Sequence, residues 1–288
     1  MTRVTGENSH GPIFAHVVHQ ASRRGGAARS SLDVMNVLWI LAHPEPRSLN
    51  GFLATEGQRT LRAEGHRVEV SDLYAMGWNP VVDPAGYAHH PAERFQVAAA
   101  AKQAYESGAL GADIRAEQEK IDRADTIVVQ FPMWWFGMPA ILKGWFDRVW
   151  HQGYAYGSRG PNGEWIGYGD GFLAGKRALA VVTMGGPAWF YGERGIHGAV
   201  GELLFPLQHG TLFYAGAEVL PPMLITGADR FTPEEGEAAA KELGERLLAI
   251  PATRPIAYRR QNGGDYDDDF VLRPDVAPGL TGLGAHVA

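Results

Sequence analysis

From Met35 onward the apolar positions fall into short continuous runs separated by stretches with helical spacing. Runs at 36–42, 126–131 and 177–183 are rich in Val, Ile, Leu, Ala and aromatics, the signature of strands, and 67–71 gives a short second strand. A weaker run at 218–226 is interrupted by Pro221-Pro222. Between them, Asn50 is placed to cap a helix ending near Gly65, and Asp113 to cap one through Ala124. Residues 139–150 put Ile141, Leu142, Trp145, Phe146 and Val149 on one stripe of a helix. The last helix is the best punctuated: Thr232 as N-cap, Pro233 at the first position and Glu235 completing a capping box before a run to Ile250. Nearly continuous apolar strands, alternating with helices, predict an α/β protein with a parallel sheet covered on both faces.

The flanks read differently. Residues 1–34 carry four arginines, Gly25-Gly26 and Ser30-Ser31 and no apolar period; they are expected to be a disordered or non-native extension before a true start at Met35. Ser22-Arg23-Arg24 faintly resembles a twin-arginine export signal, but the apolar stretch after it reads as the first core strand. His10, His16 and His19 lack carboxylate partners, so no metal site is expected there or elsewhere. The tail at 251–288 is rich in Gly, Pro and Asp and is expected to be irregular, leaving one domain at 35–250.

Composition narrows the function. Of 288 residues, 45% are hydrophobic and 20% charged, ordinary globular usage. The absence of cysteine excludes disulfides, thiolate metal sites and a cysteine nucleophile, and fits a cytoplasmic setting. A net charge of −6 argues against a nucleic-acid partner, and no apolar run is long enough to span a membrane.

Chemistry should follow the strands, because open α/β sheets bind ligands beyond their carboxyl ends. The first such loop is His43-Pro44-Glu45-Pro46-Arg47-Ser48-Leu49-Asn50. It has neither a GxGxxG nor a P-loop pattern, yet His43, Ser48 and Asn50 surround a helix start suited to phosphate. Ser48 and Asn50 read equally as plain caps, and His43 as a structural histidine. The loop Pro132-Met133-Trp134-Trp135-Phe136-Gly137 carries the stronger signal. Three adjacent aromatics cannot all face the core, so they make either a wall for a planar ring or an aromatic plug. Thr183-Met184-Gly185-Gly186 would let backbone approach that ring, or simply turn. Tyr191 and His197 follow, a phenol and an imidazole able to stabilise negative charge on a redox ring. No G-x-S-x-G elbow supports hydrolase chemistry.

In these motifs the chain resembles the flavodoxin-fold NAD(P)H:quinone oxidoreductases of the DT-diaphorase type. The resemblance rests on Leu41-Ala42-His43 with Ser48-Leu49-Asn50, Ser71-Asp72-Leu73-Tyr74, Gln130-Phe131-Pro132 with Trp135-Phe136-Gly137, residues 139–146, and Gly195-Ile196-His197-Gly198. It implies a five-stranded flavodoxin-like sheet and an FAD cofactor rather than FMN. His43, Ser48, Leu49 and Asn50 would then lie at the diphosphate and ribityl, and Gln96 at the adenosine half. Pro132, Met133, Trp134, Trp135 and Phe136 would wall the flavin ring, with Thr183, Met184, Gly185, Gly186 and Tyr191 completing the pocket. Tyr191 and His197 would be catalytic. Trp135, Phe136, Gly185 and His197 would also meet substrate, together with Tyr156 and Tyr214 from the second subunit of a homodimer. The implied reaction is ping-pong, two-electron reduction of quinones by NAD(P)H through flavin N5. The same site would serve an azo or nitro reductase, and related chains act as redox-sensing ancillary subunits of potassium-efflux systems. The chain departs from the family at Ser158, where a second gating tyrosine stands, and at Glu237, where an arginine approaches the adenine.

Overall fold

The structure is a computed structural model and describes residues 34–288. Residues 1–33 of the proposed extension, with its three histidines and the arginine pair, therefore lie outside the described residues. In chain order the main elements are β1 (Asn36–Leu41), α1 (Leu49–Ala63), β2 (Arg67–Asp72), α2 (Val97–Ser107), α3 (Ala112–Arg123), β3 (Thr126–Pro132), α4 (Ala140–Val149), β4 (Arg177–Met184), α5 (Val200–Leu207), β5 (Glu218–Val219), β6 (Met223–Thr226) and α6 (Pro233–Leu248). All strand pairs are parallel, in the order β2-β1-β3-β4-β5, and β6 also pairs with β4. The fifth sheet position is thus filled in two pieces, β5 and β6, separated by Leu220-Pro221-Pro222. Proline has no N–H for the ladder, so Pro221-Pro222 breaks the pairing that a single strand would have made.

Period-two alternation in the strands sorts the core onto two faces. Leu38, Ile40, Ile127, Val129, Phe131, Ala180 and Val182 face one way, against α2, α3 and α4. Val37, Trp39, Leu41, Val128, Leu179 and Val181 face the other, against α1 and α6. Edge strand β2 alternates in burial, whereas β3 is buried at every position, as a central strand covered on both faces must be.

Three local expectations need correction. The N-cap of α1 is Ser48, whose Oγ accepts from the Gly51 N–H at 3.2 Å; Asn50 lies inside the first turn and is buried. Asp113 lies in the first turn of α3 behind the cap residue Gly111, and its carboxylate pairs with Arg148 at 2.7 Å instead. The last helix ends at Leu248, two residues early, though its capping box forms as expected. The strand pattern also passed over α2 and α5. The first is an alanine-rich helix with Ala100, Ala101 and Ala104 buried; the second carries Pro206 and runs into a π-helical turn, Gln208–Phe213. The tail is irregular, yet it packs Ile256 and Tyr258 against the first face, buries Ala285 and bonds Ile256 N–H to the Val219 carbonyl at 2.8 Å.

Candidate active site

The chain runs from β1 outward to β2 and returns to β3 on the other side, so the strand order reverses between β1 and β3. That switch point is where doubly wound sheets open a crevice at the carboxyl edge. The loops after β1, β3 and β4 meet there. A cavity of about 280 Å³ lies at the opposite end, among Asn36, Val37, Arg67 and Val68 at the strand starts, the wrong end for ligand.

The loop after β1 is bonded to itself. His43 Nδ1 accepts from the Glu45 N–H at 3.1 Å and stands 2.9 Å from Ser48 Oγ, which donates to the Glu45 carbonyl at 2.6 Å. Accepting through Nδ1 leaves a neutral ring with its proton on Nε2. Burial pushes the His43 pKa down, only partly offset by Glu45. The Glu45 carboxylate is held down at about 2 by Arg47, which it clasps through two nitrogens at 2.9 and 3.1 Å. Gly51 is required here, because a Cβ would overlap the Pro46 carbonyl.

Below this loop, a buried amide network ties three strands to α1. Trp39 Nε1 donates to Gln130 Oε1 at 3.0 Å, and Gln130 Nε2 donates to the Asn50 carbonyl at 2.8 Å. Asn50 Nδ2 donates to Thr183 Oγ1 at 2.8 Å. The side chains of Asn50 and Thr183 are therefore engaged with each other. Leu49 and Met184 are buried in the core, so at these positions only the main chain is open to a ligand.

The loop after β3 is built the opposite way. Trp134 and Gly137 exchange both backbone hydrogen bonds, at 3.0 and 3.1 Å, around a two-residue turn. Both turn residues are left-handed, Trp135 at φ 50° and Phe136 at φ 62°, in a hairpin geometry that normally takes Asn-Gly. The indole of Trp135 is 94% exposed, and Trp134 and Phe136 are exposed as well. An aromatic plug under the sheet is thereby excluded. Such strain on bulky residues is held by its surroundings and concentrates at functional sites.

Rings link the loops. His43 lies 6.3 Å from Trp134, and Phe136 packs edge-on to His197 at 5.1 Å. Tyr191 stands 5.2 Å from His197, and Tyr191 Oη would be 3.0 Å from a Cβ built on Gly186. The structure thus gathers His43, Trp134, Phe136, Gly186, Tyr191 and His197 at one edge. Phe190 joins them, edge-on to His197 at 5.1 Å; the aromatic run Trp189-Phe190-Tyr191 was its only signal in sequence. Asp229 backs Gly185, where any Cβ would meet its carboxylate.

Three expected residues, Gln96, Tyr156 and Tyr214, make no ring contact or hydrogen bond with this group. Gln96 is the exposed N-cap of α2, with no side-chain capping bond. Tyr214 closes the π-helical turn and packs edge-on to Tyr168 at 5.0 Å; burial first, then Tyr168 and Tyr156, push its pKa up. Beside them a cavity of about 480 Å³ is lined by Tyr168, Phe205, His209, Gly210, Gln261, Tyr266, Phe270, Leu283 and His286. Burial, aided by His286, holds the His209 pKa at about 4, so this ring is neutral.

A parallel sheet with this strand order, and with its distinctive loops gathered at the switch point, defines the flavodoxin-like class. A family model described as flavodoxin-like fold matches residues 35–249. The ribosyldihydronicotinamide dehydrogenase-like protein traD of Penicillium crustosum is 44% identical over 257 residues, covering 88% of this chain and 95% of that one. NAD(P)H dehydrogenase [quinone] 1 of Rattus norvegicus is 34% identical over 249 residues, 85% of this chain and 89% of its own. A crystal structure from Klebsiella pneumoniae, provisionally called a quinone reductase, superposes with a TM-score of 0.85 at 47% identity, over 88% of this chain and all of that one. The chain belongs to the flavodoxin-like family of NAD(P)H:quinone oxidoreductases, and is an oxidoreductase. Among the described residues no helix is long and apolar enough to cross a membrane.

Proposed function

We propose that this chain binds one FAD per subunit and catalyses two-electron reduction of quinones by NAD(P)H, as a two-fold dimer in the cytoplasm. The observation that carries the reading is the strained Trp135-Phe136 turn, which displays apolar rings beside Tyr191 and His197 at the switch point. These residues fit a flavin. The free N–H groups at the start of α1, with His43 and Ser48, suit its diphosphate, and the main chain of Leu49 and Asn50 its ribityl. Trp134, Trp135 and Phe136 suit one face of the ring, and the Gly185-Gly186 backbone allows close approach. Gln96 is exposed and free to reach an adenosine half. When bound, FAD supplies the two-electron carrier that the side chains themselves lack.

The chain's own residues hold, orient and neutralise. Trp135 and Phe136 give nicotinamide and quinone the same flat wall, so the two substrates take turns there. The Tyr191 hydroxyl and the His197 imidazole present donors toward charge that develops during transfer. Tyr156 and Tyr214, which make no ring contact or hydrogen bond with His197 in this chain, fit a role across a dimer interface, closing the partner's pocket.

The test is to release the chromophore by heat, identify it, and assay NADH and NADPH turnover with a soluble quinone and with an azo dye. The expected result is FAD and faster quinone turnover. Protein that stays colourless after incubation with FAD and FMN overturns the reading. Faster azo turnover moves the assignment to azo reduction, and flavin without turnover moves it to a redox sensor. For the dimer, chains truncated at Tyr156 mixed with chains bearing His197→Ala should regain activity.

A further inference from the structure

Tyr156 and Tyr214 are 58 residues apart in sequence, and the segment between them is tied down by the tail. Just after Tyr156 the chain makes a hairpin, in which Arg159 bridges to Trp165, Gly160 N–H bonds the Glu164 carbonyl at 2.9 Å and Ile166 N–H bonds the Ser158 carbonyl at 3.3 Å. The Arg159 guanidinium lies over the Trp165 ring at 3.8 Å. The chain then passes under Tyr214, where Tyr168 N–H donates to the Tyr214 carbonyl at 3.0 Å. Gln261 stands at this crossing. Its Nε2 donates to the Trp165 carbonyl at 2.7 Å, and its backbone N–H donates to the Tyr168 carbonyl at 3.1 Å. Its Oε1 would be 3.0 Å from a Cβ on Gly167, whose other neighbour is the Tyr214 ring at 3.3 Å. Next to it, Arg260 donates to the Gly169 carbonyl at 2.7 Å and pairs with Asp170.

We infer that Gln261 is a positioning residue that locks the Tyr156 hairpin to the Tyr214 segment and so sets how tightly the pocket closes on the electron acceptor. The inference rests on the reading of Tyr156 and Tyr214 as the residues that close that pocket. The physical reason is that a hairpin this short is marginal by itself and takes its position from what it is bonded to. The Gln261 side-chain amide holds the hairpin at Trp165, while its backbone N–H holds Tyr168, which in turn bonds the Tyr214 carbonyl, so one tail residue ties both segments to one frame. Its loss frees the hairpin without touching the redox edge.

Two variants separate shape from hydrogen bonding. Gln261→Glu keeps the outline but places a carboxylate, which cannot donate, against the Trp165 carbonyl. Gln261→Met removes donor and charge alike. In the flavin-loaded protein, hydrogen–deuterium exchange of the amides at 158–168 should rise about fivefold or more in both variants, the effect of one lost hydrogen bond. The KM for menadione should rise about fivefold, while kcat, flavin content and the rate of flavin reduction by NADH stay within twofold of the parent. Exchange unchanged in both variants overturns the clamp. Faster exchange with an unchanged menadione KM overturns its role in closing the pocket, as does a loss that falls equally on flavin content and the NADH step. If the Gln261→Glu chain fails to fold, Gln261→Met with Asn262→Ala, which removes the 3.4 Å contact to the same carbonyl, gives the same readouts. Wild-type protein that reduces no quinone overturns the functional reading instead, whereas the exchange measurement needs no quinone and judges the clamp separately.

Discussion

The loops after β1 and β3 sit side by side on one sheet edge and are stabilised in opposite ways. In the first, His43, Glu45 and Ser48 satisfy one another over six residues, and the helix start behind them needs nothing further to hold its shape. In the second, two bulky residues occupy left-handed conformations that cost roughly 1–2 kcal/mol each, and the Trp135 indole so displayed gains almost nothing from the protein itself. Covering one indole of roughly 200 Å² at about 25 cal/mol per Å² offers up to about 5 kcal/mol. The available burial exceeds the strain, so the flavin proposed above would make this loop favourable. A phosphate site can be finished in advance because backbone N–H groups are satisfied by water when it is empty. A stacking wall cannot, since its apolar face must stay open until the ring arrives.

The largest expected effect probes the second region. If Tyr191 and His197 stabilise charge during transfer, His197→Ala should slow flavin reduction by about 10²- to 10⁴-fold while flavin stays bound, because the first loop still holds it. Stopped-flow bleaching on mixing with NADH measures this. A change below about threefold at full occupancy returns His197 to a structural role alongside Phe136 and Phe190.

The first region should fail by geometry. Gly51→Ala forces the Pro46 carbonyl away and distorts the self-bonded loop, an overpacking cost of about 1–3 kcal/mol. Flavin affinity should fall by about 100-fold and the unfolding midpoint by about 5 °C, read by flavin titration and calorimetry. An unchanged affinity would mean that the diphosphate does not use this loop.

Trp135→Gly sharpens the contrast, because stability and binding should move in opposite directions. Glycine relieves the left-handed strain, and an indole this exposed surrenders almost no packing, so stability should hold or rise by about 1 kcal/mol. Flavin affinity or quinone KM should worsen about tenfold through the lost stacking surface. Loss of stability with unchanged binding would make Trp135 a structural residue.

The smallest effect is the pH dependence of the first loop. The folded-state pKa of His43 lies below its ordinary value, so the unfolded chain binds the proton more readily and acid favours unfolding. The stability it contributes is present above the ordinary histidine range and is lost as pH falls below it. His43→Gln should flatten that acid limb of the stability curve. A limb of unchanged slope, measured by denaturant titration across pH 7 to 5, would exclude His43 as its source.

Much of this architecture was decided locally and was therefore legible in the sequence. The β1, β3 and β4 runs are mostly apolar because both faces of a parallel sheet are covered, and Thr232, Pro233 and Glu235 cap α6 through contacts three residues apart. The aromatic loop was visible as well, since three adjacent rings after a strand cannot all be buried. Tertiary structure decided the rest. Ser48 rather than Asn50 caps α1 because the Asn50 side chain is drawn to Thr183, 133 residues away, in a bond no local pattern encodes. Asp113 is taken by Arg148 in the same way. The left-handed turn at Trp135-Phe136 contradicts the preference of both residues and persists because Trp134 and Gly137 close it and His197 packs on Phe136. Gln261 gave no signal at all, since its two partners are backbone carbonyls, and any residue type can supply those. Short-range geometry writes itself into residue choice at fixed spacing; a contact between distant segments, above all one made to main chain, leaves no spacing to read.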